Sequence, residues 1–130
     1  MVSRLPLLFV WCLAACATTQ DDEPLNKLPY GCSDLVVVGR VVTLAGKTLP
    51  GPAPLPNWQS RWRLQVQIRQ VLRGAERRTA VPATSVSHAQ LRDDKDFLVV
   101  LAPDENGGYA IGKAALWDKK PRPKLAEPCS

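Results

Sequence analysis

Six arginines, Arg61, Arg63, Arg69, Arg73, Arg77 and Arg78, crowd one short stretch in which Glu76 is the only acid. A guanidinium stays charged at physiological pH and presents a fork of donors that fits carboxylates and phosphates, so such a cluster suits the holding of an anion. Arg61, Arg63, Arg69 and Arg73 form the candidate anionic-ligand face; the alternative is a set of arginines that solubilises the outer side of an amphipathic strand. Catalysis finds less material. An enzyme needs a positioned base, nucleophile or metal, and His88 is the one histidine. Ser85 and Ser87 beside it form no nucleophile motif. Asp93, Asp94 and Asp96, with Asp104 and Glu105, could gather around a cation, but their spacing does not match an EF-hand loop. The expectation is a non-enzymatic protein with no catalytic residues, no metal and no cofactor.

The arginines need a strand to display them, and the sequence supplies one. Trp62, Leu64, Val66 and Ile68 alternate with Arg61, Arg63, Gln65 and Gln67, which places one face in a core and the arginines on the other. Trp62 is expected in the core; Trp58 and Trp117 stay open between core and binding roles. Continuing the period would turn Gln70 inward, so a bulge near Arg69 is expected, with the apolar face resuming at Val71 or Leu72. Arg73 and Gly74 end the strand in a turn.

The remaining elements follow the same logic. The β-branched run from Leu35 to Leu44 predicts a first strand, with a bulge or bend at Gly39. Residues 45–57 carry Pro50, Pro52, Pro54 and Pro56 and read as a stiff projecting loop, because proline removes ladder donors. Residues 78–86 predict a strand that Pro82 pushes towards an edge. His88 to Asp94 is polar and suits a helical turn or a loop. The run Asp96 to Leu101 is nearly all apolar and predicts a well-buried strand. Asp104, Asn106, Gly107 and Gly108 favour a hairpin turn into a last strand at Tyr109 to Ile111, which Ala114 to Trp117 extend or cap.

Before the domain, Arg4, the apolar run up to Leu13, and then Ala14 and Ala15 follow the order of a secretory signal, too short for a bilayer-spanning helix. Leu13, Ala14, Ala15 and Cys16 resemble the bacterial lipobox. That resemblance implies a signal peptide at 1–15, a lipidated Cys16, and attachment by two or three acyl chains, enough for permanent anchoring. An ordinary secretory signal cut after Ala15 or Ala17 is the alternative. Ala17, where an Asp would retain a lipoprotein in the inner membrane, favours the outer membrane. Residues 16–29, with Asp21, Asp22 and Glu23, read as a flexible tether, and 30–130 as one β-domain. The full chain carries a formal net charge of +5, and removal of the signal subtracts only Arg4. On this reading Cys12 leaves with the signal and Cys16 takes the lipid, so Cys32 and Cys129 remain to pair in an oxidising compartment. Free thiols or an intermolecular bond are the alternatives.

The order of these strands, with Cys32, Asp34, Gly39, Arg40 and Val41 at the start and Arg73 with Gly74 closing a later strand, resembles the netrin-like module, the OB-type barrel shared with tissue inhibitors of metalloproteinases. The resemblance implies a mainly β fold, a small five-stranded OB-like (netrin-like) barrel with one possible short helix. The inhibitors of that family chelate zinc through a free N-terminal cysteine; here Cys16 would be acylated and Cys32 lies within the chain, so that mechanism does not transfer. OB-type barrels often bind polymers across a strand face. The functional expectation is an outer-membrane lipoprotein, tethered by its N-terminal lipid, whose periplasmic barrel binds an envelope protein or an anionic envelope polymer, not nucleic acid. The alternative is a lipid-anchored inhibitor or immunity-type protein that acts on a hydrolase through the Leu49 to Trp58 loop.

Overall fold

The computed structural model describes residues 27–51 and 59–130. The expected signal peptide, Cys16 and most of the tether lie outside the described residues, as does Trp58. Seven strands follow in order: β1 (Lys27–Leu28), β2 (Leu35–Leu49), β3 (Gln59–Arg73), β4 (Ala80–Ser87), β5 (Asp96–Pro103), β6 (Tyr109–Leu116) and β7 (Lys124–Leu125). β2, β3, β4, β6 and β5 close into a barrel in that spatial order, and β1 pairs with β7 in a separate two-stranded sheet. All barrel neighbours are antiparallel except β4 and β6, whose parallel contact is limited to Ala83 with Tyr109 and Thr84 with Ala110. Pro82 lies just before that short junction, on a strand that is an edge for most of its length.

The unbroken apolar runs of β2 and β5 reflect burial on both faces. Leu35, Val37 and Val41 point into the barrel with Phe97, Val99 and Leu101 of β5. Val36 and Val38, on the opposite face, join Leu98 and Val100 in a second core outside the barrel, closed by Leu28, Tyr30, Leu125 and Trp117. A strand covered on both sides needs no polar alternation, whereas β3, solvated on one face, keeps it. The terminal segments that cover the second core are held by the Cys32–Cys129 disulfide, with Cα atoms 5.0 Å apart. They are held too by Tyr30, whose hydroxyl donates to Glu127, and by Arg73, which donates to the same carboxylate.

Two bulges shape β3. The pairing jumps from Val38 opposite Gln70 to Gly39 opposite Ile68, so Arg69 is the extra residue where the alternation slips in sequence, and Leu72 is extra a few residues on. At the first bulge β3 presses against β2: a Cβ on Gly39 would lie 2.3 Å from the Gln67 carbonyl oxygen. The β5–β6 hairpin also forms as expected. Asp104 Oδ1 accepts from the Asn106 and Gly108 amides at 2.8 and 2.9 Å, and Gly107 takes a positive φ of 80° that favours glycine.

Three expectations are corrected. No helix occurs among the described residues. Residues 88–95 form a loop, because Ala89 and Leu91 are too few apolar groups to make a helical stripe; Leu91 packs against the barrel core instead. Ala45 to Leu49, assigned to a proline-rich loop, extend β2 opposite Arg63 to Gln59. Gly46 makes this possible by leaving room for the Trp62 indole, which a Cβ would meet at 2.4 Å. Finally, Lys27 and Leu28, assigned to the tether, form β1 beside Lys124 and Leu125, with Leu28 buried.

Candidate functional site

β3 positions the basic groups. With Leu64 and Val66 buried in the barrel, its alternation leaves Arg61 and Arg63 exposed on the outer face. Register adds their neighbours. Lys47 of β2 and Val86 of β4 stand opposite Arg61, and Ala45 and Thr84 stand opposite Arg63. Lys47, Arg61 and Arg63 therefore share one sheet face, and none of the three pairs with a carboxylate among the described residues. Like charges placed directly across neighbouring strands repel, at a cost of about 0.2–1 kcal/mol. A bound anion would reverse the sign of that term. Beside the patch, Arg63 lines a depression of about 240 Å³ together with Pro82, Thr84, Asp104, Asn106 and Tyr109.

The four arginines expected to form one face divide into two groups. Arg69 donates from Nε to Asp96 Oδ1 at 3.0 Å, and Arg40 donates to the same oxygen at 3.2 Å. Arg73 belongs to the terminal clamp, donating to Glu127, to the Leu72 carbonyl at 2.7 Å and to the Tyr30 hydroxyl at 3.4 Å. Hydrogen bonds from Tyr30 and then Arg73 hold the Glu127 carboxyl below its usual range. Arg61 and Arg63 alone keep the expected display, because neither forms an ion pair among the described residues. Lys47, absent from the sequence-based face, completes it. Its signal was hidden by the prolines that follow, which made its segment read as a loop.

The other chemistry-bearing residues are dispersed. Arg78 grips Glu76 through Nε, a terminal nitrogen and its own backbone amide, while the Tyr109 hydroxyl donates to Glu76 Oε1 at 2.8 Å. The Arg78 hydrogen bonds, seconded by Tyr109, hold the Glu76 carboxyl well below the usual carboxylate range. Asp94 forms a two-point pair with Arg92 at 2.7 and 2.8 Å, which pushes its carboxyl down to about 2. Asp104 belongs to the hairpin turn after the last residue of β5, the far end of that strand from Asp96. His88 is exposed at the head of the 88–95 loop. Among the described residues, no three His, Cys, Asp or Glu side chains are grouped so as to hold a metal.

Of the residues on which the netrin-like resemblance rests, Cys32, Asp34 and Gly74 lie at one corner, whereas Gly39, Arg40 and Val41 pair further along β2. The Gly31 amide donates to Asp34 Oδ2 at 2.6 Å, Cys32 sits in the disulfide within the same turn, and the Gly74 turn packs so closely that a Cβ there would lie 3.1 Å from the Asp34 carbonyl. No family model matches the chain, and no curated protein and no solved structure matches it significantly.

Proposed function

We propose that this protein is a non-enzymatic, lipid-anchored binding module of the outer membrane, whose netrin-like barrel turns the β2–β3–β4 face towards an anionic partner on the periplasmic side. The observation that carries this reading is the juxtaposition of Lys47, Arg61 and Arg63, none of which forms an ion pair among the described residues. Repulsion within the patch is a stability cost that a binding role explains, since an anion there relieves it. The anchor in this proposal is Cys16, outside the described residues, and its support is the lipobox resemblance.

The test uses the detergent-extracted full chain and heparin as a defined polyanion. Binding should weaken steeply as salt rises, and Arg61→Ala with Arg63→Ala should reduce both affinity and salt dependence. Unchanged heparin binding in that double variant would refute the proposed face. Intact mass of the same preparation reads the anchor: acyl mass on Cys16 is expected, and an unacylated chain would refute it.

A further inference from the structure

β2 is paired on both edges only over its first part. β5 covers it from Leu35 opposite Leu101 to Arg40 opposite Asp96, where β5 begins. From Val41 to Leu49 the strand continues, and β3 holds one edge throughout. Among the described residues, no strand and no other backbone group pairs with the second edge of this stretch. Leu44 to Thr48 are exposed. Because a strand directs its N–H and C=O groups alternately to its two sides, an open edge of this length offers a row of unpaired donors and acceptors to an incoming chain. The stretch contains no proline, and its single charge is Lys47.

The local chemistry selects the occupant. A second copy paired here about a two-fold axis would bring two Lys47, Arg61 and Arg63 rows together, so like charge opposes self-pairing. An acidic chain meets the opposite condition. An added strand lies about 4.8 Å from β2, so its outward side chains fall beside Lys47, in the same cross-strand row as Arg61.

We infer that the open edge of β2 from Val41 to Leu49 takes an extended acidic segment of a partner protein as an additional antiparallel strand, with its carboxylates at alternate positions in the row of Lys47 and Arg61. The inference rests on the anionic-partner reading of this face and narrows it: main-chain pairing supplies affinity, and alternate acids supply selection. Envelope polymers share the charge but lack a peptide backbone in strand geometry.

The experiment compares three probes on the full chain in detergent. The first is a capped peptide of about eight residues, an ordinary strand length, with glutamate alternating with valine or threonine. The second is the same peptide N-methylated at every second amide, which keeps the charge and removes one edge of donors. The third is polyphosphate. The parent peptide should bind at least about tenfold more tightly than its N-methylated form, as loss of two or three hydrogen bonds requires. It should also slow amide hydrogen exchange within residues 41–49. Equal affinity of the two peptides, both weakened by Arg61→Ala with Arg63→Ala, would overturn strand addition and leave the anionic face standing. Polyphosphate bound in an arginine-dependent way, with no peptide binding, would overturn the protein partner in favour of a polymer. No arginine dependence for any probe would overturn the underlying reading as well.

Discussion

Asp96, the first residue of β5, accepts a hydrogen bond from Arg69 of β3 at 3.0 Å, reaching across the intervening β2, whose Arg40 donates to the same carboxylate oxygen. One acid thus gathers a charge from each of two neighbouring strands, at the point where the Arg69 bulge widens β3. Asp96→Ala should leave two arginines without a partner on a partly covered face and lower stability by about 1–2 kcal/mol. Urea unfolding measures it. Heparin retention should rise, because the free basic surface grows.

Gly39 and Gly112 make a matched pair for backbone approach. Gly39→Ala places a methyl 2.3 Å from the Gln67 carbonyl oxygen, whereas Gly112→Ala finds its nearest neighbour, the Val100 carbonyl, at an ordinary 3.7 Å. A rigid backbone cannot yield as a flexible side chain does. Gly39→Ala should destabilise by about 2–4 kcal/mol, and Gly112→Ala by less than about 1 kcal/mol. Equal denaturation midpoints for the two variants would contradict the close β2–β3 approach at the bulge.

The disulfide and the terminal clamp secure the outer core, not the barrel interior. On the chain-entropy account, removing a bond that closes nearly the whole domain costs about 2–5 kcal/mol. Cys32→Ser with Cys129→Ser should lose hydrogen-exchange protection first at Tyr30 and Leu125, which cover the second core. Val66 and Val81, inside the barrel, should retain protection until global unfolding.

The Glu76 carboxyl is depressed by Arg78 and Tyr109, so its sign in acid is determined. A lowered folded pKa contributes stability above the ordinary glutamate value of about 4.3, and that contribution is lost as the pH falls through the depressed value. Glu76→Gln should therefore be less stable than the parent at pH 7, and the two should converge as the medium is acidified below the ordinary glutamate range. Unfolding midpoints across an acid series measure the difference. A gap that does not narrow would show that the ion pair is not its source.

Much of the barrel is legible in local pattern. The alternation from Arg61 to Ile68 specifies one buried and one solvated face, and the slip at Gln70 locates a bulge, because side chains on a strand have a period of two. Asp104 to Gly108 specify a turn by their own hydrogen bonds and by a positive φ at Gly107. The double-sided runs of β2 and β5 declare burial but not what covers each side. The coverage depends on partners distant in sequence: Leu28, Tyr30 and Leu125 close the second core, and a two-residue strand such as Lys27–Leu28 has too little length to announce itself.

The candidate site divides along the same line. Composition and period determined that Arg61 and Arg63 lie together on an outward face. Only the tertiary structure decided that Arg69 and Arg73 are paired elsewhere, that Lys47 joins the patch, and that β2 outruns β5 to leave an open edge. Period assigns a residue to a face, whereas its neighbours across strands depend on register and barrel closure, which are set by the chain as a whole.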